Sequence, residues 1–169
     1  MMNIVLVLLR LLHIVGAVSW LALGGIMTLY VAPAAVAAGE TGYHYLKQLF
    51  TRTAFTKAIA PAAGITTLAG ILLYIVGNAS SHFTQTGNIV LGIGAAAGLI
   101  AAIHGGAVVG RAITAFNKVL ATLPDGTQSI PSAMLTELNG MATTLLGHAR
   151  ISLALMIVAL VCMGSARYL

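Results

Sequence analysis

The sequence predicts an all-α integral membrane protein whose four spans form a helix bundle. Of its 169 residues, 59% are hydrophobic and only 7% are charged. Soluble domains carry roughly 25% charged residues, so this chain lacks the polar surface that water requires, and a soluble enzyme is excluded. Aromatic residues make up 6% of the chain, which also contains 19 Gly. This mixture favours closely packed helices over a membrane barrel with aromatic girdles.

Four apolar runs are long enough to cross a bilayer, which takes about 20 helical residues. Pro33 is expected to end the first run, and Gly77-Asn78 is the turn signal after the second. Arg10 lies inside the first run and no basic segment precedes it, so we expect a retained helix and not a cleaved signal peptide. No repeat or linker divides the chain, which predicts one domain over residues 1–169. The runs cover residues 4–31, 58–76, 88–115 and 145–166.

Basic residues are concentrated around two of the three connections between these runs. The connection between the second and third runs contains no Lys or Arg. Arg10 and Arg167 lie at the other ends of the spans, and the remaining six of the eight basic residues flank the two longer connections. By the positive-inside rule, those connections face the cytoplasm and both termini face outward. The pI near 9.8 reflects these dispersed residues, so no nucleic-acid partner is expected.

Both longer connections are expected to be partly helical. Apolar residues along positions 41–57 form one stripe, made by Tyr45, Leu46, Leu49, Phe50 and Phe55. Ser129-Ile130-Pro131 is a helix start that leads into the fourth span. The segment Leu123-Pro124-Asp125-Gly126 is a turn signal after the third span. Helices are therefore predicted to extend from the bilayer into the cytoplasm.

The candidate functional residues are polar side chains within the spans, where ionisable groups are costly. No Asp or Glu lies in any span, which disfavours a carboxylate-based pump and a hard-cation site. Cys162 is the single cysteine, so an internal disulfide and Cys-based metal clusters are excluded, and we expect a packing role. The ligands that remain are imidazoles, which bind haem iron, copper or zinc. The candidates are Arg10, His13, Trp20, His104, Arg111, His148 and Arg150.

His104 and His148 are predicted to bind the same metal. At 1.5 Å per residue they lie about 24 Å and about 28 Å from the outer ends of their antiparallel spans, so they share one depth. Two imidazoles at one depth are typical of a haem held between helices. Arg111 or Arg150 would pair with the haem propionates. Glycines near both histidines would let a macrocycle approach the backbone, although such residues also form ordinary helix contacts in membranes.

His13 is predicted to belong to a separate, outer site. It lies about 30 Å from the inner end of the first span, too far from His104 to share a metal. One helix face carries Arg10, His13 and Trp20 with small residues between them, and this stripe is expected to face the interior. A second haem, a quinone headgroup and a structural hydrogen bond with Arg10 remain alternatives. His44 and His82 lie in connections and are expected to be solvated.

Copper is the alternative to haem as the bound metal. Seven Met are present but dispersed, and only Met156 and Met163 lie one heptad apart on the fourth span. Dispersed Met residues are typical of core packing. Zinc hydrolysis is disfavoured because neither an acidic base nor a third His lies at the depth of His104.

Several segments resemble the small four-helix CopD-like and HemJ-like integral membrane proteins. The likeness rests on Leu11-Leu12-His13-Ile14 followed by Trp20 and Gly24-Gly25, on residues 61–74, and on residues 163–168. The resemblance implies a four-helix membrane protein and, in the HemJ-like branch, a b-type haem with His13 as a candidate ligand. HemJ-like proteins carry a functional Lys in a later span, whereas the third span here has none before Lys118, which argues against protoporphyrinogen oxidation. The CopD-like branch implies copper transport.

The sequence thus predicts a membrane protein like a b-type cytochrome, with haem b inside the helix bundle. We expect electron transfer to or from a quinone or a partner subunit, in the bacterial inner membrane. A haem-dependent oxidoreductase activity is compatible with this prediction. The alternatives are a copper-handling membrane protein and a cofactor-free accessory subunit of a larger membrane complex. The expected partners are the lipid bilayer and either other membrane subunits or further copies of this chain.

Overall fold

The structure is a computed structural model that describes residues 2–76, 84–124 and 129–169. Two π-helical turns, Met27–Val31 and Gly105–Val109, join α1 to α2 and α5 to α6, and the 3-10 turn Ala166–Tyr168 follows α7. Within these ranges the helices are α1 (Met2–Ile26), α2 (Ala32–Ala37), α3 (Glu40–Arg52), α4 (Phe55–Val76), α5 (Thr86–His104), α6 (Gly110–Ala121) and α7 (Ser132–Ser165).

Four helical segments are long and apolar enough to cross a membrane. They are Ile4–Ala37, Phe55–Val76, Thr86–Ala121 and Ser132–Tyr168, with 34, 22, 36 and 37 residues. A helix of 36 residues measures about 54 Å, well beyond the roughly 30 Å of a hydrocarbon core. The predicted all-helical class with four apolar helices is confirmed, and three of the helices are long enough to extend past a bilayer as expected.

The first helix does not end at Pro33, so that prediction is wrong. The π turn before it shifts the hydrogen-bond pattern, and the backbone N–H of Ala32 donates to the carbonyl of Met27. Pro33 thereby falls in the first turn of α2, where its missing N–H removes no intrahelical bond. The chain reverses only at Gly39, whose φ of 61° suits glycine.

The long helices pack as two pairs, α1 with α4 and α5 with α7, and contacts between the pairs are fewer. Small residues bring the backbones together within each pair. A Cβ on Gly16 would lie 2.6 Å from Thr66 Oγ1, and a Cβ on Gly94 would lie 3.0 Å from Cys162 Cβ. Cys162 is a free thiol at this helix contact, in agreement with its expected packing role.

The most tightly packed region, which we call the compact end, lies where α2, α3, α6 and the first turns of α7 meet. The Tyr43 hydroxyl donates to Asn139 Oδ1 at 2.6 Å, and the edge of its ring packs against Phe116. Burial here raises the pKa of the Tyr43 phenol, because the charged form would lose its hydration. The largest side chains exposed by 2% or less all lie here, and they are Tyr43, Leu46, Phe116, Leu120 and Leu138.

The predicted apolar stripe of α3 is right for Leu46 and Phe50, which are buried. It is wrong for Tyr45, which is 54% exposed, while Tyr43 is fully buried in its place. The rotation of α3 about its own axis, and hence the face that it buries, is therefore set by the contacts of Tyr43 with α6 and α7. The sequence pattern alone did not distinguish these two tyrosines.

Polar contacts hold the connection between α6 and α7 against α3. Lys47 Nζ donates to the carbonyl of Leu123 at 2.7 Å, and the N–H of Ile130 donates to Glu40 Oε2 at 3.3 Å. As predicted, α7 begins just after Pro131 and continues without a break through the fourth span. Leu123 and Pro124 are not helical, as the predicted turn requires. The other residues of that turn, and the predicted turn at Gly77-Asn78, lie outside the described residues.

Candidate functional site

His104 and His148 lie side by side where α5 packs against α7. Their ring centroids are 5.6 Å apart and the ring planes are inclined by 57°. His104 Nδ1 shares a hydrogen bond of 2.8 Å with the hydroxyl of Ser152, which is itself buried. Depth counting along two separate helices predicted that these imidazoles share one level, and the structure brings them together.

The second imidazole of the pair has an unsatisfied nitrogen. His148 Nδ1 is buried, and no hydrogen-bond partner for it lies within the described part of the chain. A buried polar atom without a partner costs about 1–3 kcal/mol, so such an atom is a reason to look for a ligand. A metal ion or a bound proton donor would satisfy it.

The ring spacing indicates which metal geometry the pair can support. Metal–nitrogen bonds of about 2 Å place an ion about 3.2 Å from the centre of each coordinating ring. Two trans ligands of one haem iron would then have their ring centres about 6.4 Å apart. The observed 5.6 Å is shorter, so the rings do not have the spacing of two trans ligands of one haem.

A macrocycle does not fit between the two rings in this arrangement. Ser152 of α7 bonds directly to His104, and Ala101, one turn before His104, is completely buried. Helices α5 and α7 are thus in contact beside the rings, and a porphyrin between them would require the helices to separate. The residues fit a single ion better than a haem shared by His104 and His148, and that shared haem stays a prediction.

The remaining ligands of such an ion are not grouped around the pair. Among residues 2–76, 84–124 and 129–169, no group of three or more His, Cys, Asp or Glu side chains is close enough to hold a metal ion. A site at His104 and His148 would therefore complete its coordination with water or with a partner molecule. Arg150, two residues after His148, is exposed on α7.

His13 lies on the other helix pair and is not brought near His104. Its Nδ1 is 2.8 Å from the carbonyl oxygen of Thr66 on α4. Because a carbonyl only accepts, Nδ1 must carry the proton and Nε2 keeps its lone pair. The absence of a side chain at Gly70 makes room for the ring, since a Cβ there would lie 2.8 Å from His13 Cε1.

This arrangement bears on one of the three alternatives for His13, the structural hydrogen bond with Arg10. The hydrogen bond goes to the backbone of α4 and not to Arg10, which is exposed on α1. Metal-bound histidines commonly donate their second ring nitrogen to a backbone carbonyl, so His13 also keeps a geometry suited to a ligand. The residues of the predicted interior stripe from His13 to Met27 are at least half-buried. Only Arg10, the first residue of the stripe, is exposed.

A large cavity lies between the two helix pairs and contains two other predicted site residues, Trp20 and Arg111, in its lining. Its volume is about 1120 Å³, slightly above the roughly 300–1,000 Å³ of most small-molecule sites. None of the described lining residues is a histidine. Sequence reasoning missed the cavity, although glycines at 24 and 64 were a signal for it.

Comparison of the chain with protein-family models, with curated proteins and with solved structures gives no match. The resemblance to CopD-like and HemJ-like proteins therefore stays a prediction. What the site can do has to be argued from the imidazole pair, from His13 and from the cavity.

Proposed function

We propose that this protein is an integral membrane metalloprotein that holds a redox-active ion between His104 and His148 and transfers electrons to or from a quinone or a partner subunit. The observation that carries the proposal is the pair of imidazoles 5.6 Å apart, one of which has a buried nitrogen with no partner among the described residues. Imidazole ligands without carboxylates suit copper and iron better than magnesium or calcium. The direct bond between His104 of α5 and Ser152 of α7 leaves less room for a macrocycle than for an ion, which favours copper over a haem as the group bound by this pair.

A second candidate is a b-type haem bound by His13. The observation in its favour is the hydrogen bond from Nδ1 to the Thr66 carbonyl, which leaves Nε2 available as a ligand. The resemblance stated above implies the same residue. This haem would occupy a different helix pair from the proposed copper ion, so the two sites can be tested separately.

Metal content and visible spectra distinguish these candidates. The protein would be expressed with added copper and a haem precursor, purified in detergent, and compared with His104→Ala, His148→Ala and His13→Ala. His44→Ala is the matched control, because His44 lies on α3 outside the predicted spans. We expect about one copper ion per chain, lost in the first two variants and kept in the control.

Other results would change the assignment. A Soret band that disappears only in His13→Ala would support the second candidate. A Soret band that disappears in both His104→Ala and His148→Ala would restore the shared haem predicted from the sequence. A colourless wild type without bound metal would overturn all of these and leave a cofactor-free accessory subunit.

We also propose that the four spans form one bundle in the bacterial inner membrane, with both termini outside and the compact end in the cytoplasm. The clustering of Lys47, Arg52, Lys57 and Lys118 at the compact end supports this orientation. Cysteines introduced at Ser80 and Gln48 in a Cys162→Ala background would test it. Labelling of both positions from the same side would show that the orientation is wrong.

A further inference from the structure

The apolar walls of the cavity are shaped by glycines that no helix contact requires. Gly24 of α1, Gly64 of α4 and Gly106 of the second π turn line the cavity, and a Cβ on any of them would meet no atom within 4 Å. At Gly16 and Gly94, by contrast, a Cβ would lie 3.0 Å or less from an atom of the neighbouring helix. A side chain at these three positions would enter the open space of the cavity, whereas one at Gly16 or Gly94 would meet the neighbouring helix.

One end of the cavity is cationic. Arg111 and Lys118 both line it, and their separation of seven positions places them two turns apart on one face of α6. Neither side chain makes an ion pair within the part of the chain that the structure describes. No Asp or Glu occurs among the described lining residues. An anion is therefore the complementary ligand for this end of the cavity.

The same end contains a buried acceptor without a donor. Asn117 lines the cavity beside Lys118, and its Oδ1 is buried with no hydrogen-bond partner among the described residues. A ligand that supplies a hydroxyl at this position would satisfy it. The ligand head group is thus expected to combine a negative charge with a hydrogen-bond donor.

The length of the cavity indicates what lies behind the head group. On α7 the lining extends from Ala142 to Met156, which is about 21 Å of helix. One leaflet accounts for about half of the roughly 30 Å hydrocarbon core, so an acyl chain can lie within this length. Trp20 lines the cavity beside Gly105, because a Cβ on that glycine would lie 3.8 Å from its ring, and Gly105 precedes Arg111 by six positions.

We infer that the cavity binds an anionic phospholipid whose head group carries a hydroxyl, such as phosphatidylglycerol. The phosphate pairs with Arg111 and Lys118, the head-group hydroxyl donates to Asn117, and an acyl chain lies between the helix pairs toward Trp20. Charge-assisted bonds to the phosphate give the preference for an anionic lipid. The inference does not depend on the proposed metal site, because no described residue that lines the cavity is a histidine.

The fluorescence of Trp20 reports binding directly, because it is the single Trp of the chain and it lines the cavity. The protein in detergent would be titrated with phosphatidylglycerol or phosphatidylcholine carrying the same brominated acyl chains. We expect half-maximal quenching at an about tenfold lower content of phosphatidylglycerol, from the charge-assisted contacts. Arg111→Gln should remove this preference, and Lys118→Gln provides the same test if that variant does not fold.

Matched variants separate the cavity from the general surface. Arg52→Gln removes an exposed cation of α3 that does not line the cavity, and it should leave the quenching unchanged. Gly64→Leu should fill the cavity and abolish retention of one phosphatidylglycerol in native mass spectrometry. Gly164→Leu places the same side chain at an exposed glycine outside the cavity and should retain the lipid.

The inference is overturned if the two lipids quench Trp20 equally, or if Arg52→Gln weakens quenching as much as Arg111→Gln does. It is also overturned if Gly64→Leu keeps the lipid. Loss of metal in His104→Ala or His148→Ala with unchanged lipid binding would support both proposals as independent. Lipid binding by a protein that contains no metal would overturn the proposed function and leave the lipid inference unchanged.

Discussion

At the compact end the largest side chains are the most buried, whereas about half of the residues that line the cavity between the two helix pairs are small. Tyr43, Leu120 and Leu138 are exposed by 2% or less. Gly24 and Gly64 line a cavity of about 1120 Å³, and an added Cβ on either would touch nothing within 4 Å. One chain thus contains a filled interior and an open one.

The proposed placement of the compact end outside the bilayer accounts for the difference. Helices that project beyond the bilayer are stabilised by burying apolar surface away from water, which rewards large side chains in the core. Within a bilayer, lipid chains are as apolar as Leu, so helices associate through close backbone approach at small residues. A gap between helix pairs is then stable when a lipid chain fills it.

The largest effect is expected from emptying the filled interior. Leu138→Ala at the compact end should lower the free energy of unfolding by about 2–5 kcal/mol, because the buried side chain leaves a cavity. Leu160→Ala is the control, since Leu160 is 56% exposed on the same helix. Thermal unfolding in detergent, followed by circular dichroism, measures both. Equal losses in the two variants would contradict the comparison.

A smaller loss is expected at a glycine required for packing. In Gly42→Ala the new Cβ would overlap the backbone of Ala35, so α2 and α3 must move apart at a cost of about 1–3 kcal/mol. Gly140→Ala is the control, because a Cβ there meets nothing within 4 Å and Ala favours helix. The same unfolding measurement applies. An unchanged midpoint in Gly42→Ala would show that the contact is not tight.

Tyr43→Phe tests the polar contact of the compact end. Loss of the hydrogen bond to Asn139 should cost about 1 kcal/mol at neutral pH. Burial raises the pKa of this phenol, so its deprotonation favours the unfolded chain. The stability of the wild type should therefore fall as the pH rises above about 10, the ordinary pKa of Tyr. The phenylalanine variant should lose less stability over that range, as unfolding at a series of pH values would show.

The smallest effect is expected in the open interior. Gly64→Ala adds a methyl group that meets no neighbouring atom, so it should stabilise α4 by up to about 1 kcal/mol through helix propensity. Its partner measurement is Gly16→Ala, where the new Cβ would lie 2.6 Å from Thr66 Oγ1 and destabilisation is expected. A gain of stability in Gly64→Ala and a loss in Gly16→Ala would sharpen the distinction between packing and cavity positions. Stability changes of the same sign in both variants would remove that distinction.

Composition and run length determined much of the fold directly from the sequence. Four apolar helices, the extension of α7 from Pro131 into the fourth span, and the helical connection at α3 all follow from local patterns, because the hydrophobic effect and helix propensity act residue by residue. Depth counting also anticipated that His104 and His148 lie at one level, since the rise per residue of a helix is constant. The absence of acids from the spans is likewise a property of the sequence alone.

Other features depend on how the helices are placed against one another, and only the tertiary structure decided them. Pro33 lies inside a continuing helix because a π turn precedes it, and Tyr43 is buried in place of Tyr45 because Asn139 and Phe116 contact it. The bond from His13 to Thr66 and the cavity lined by Arg111 arise from residues far apart in sequence. Periodicity assigns a residue to a face of its helix, but the neighbour of that face and the distance to it are fixed by packing between helices.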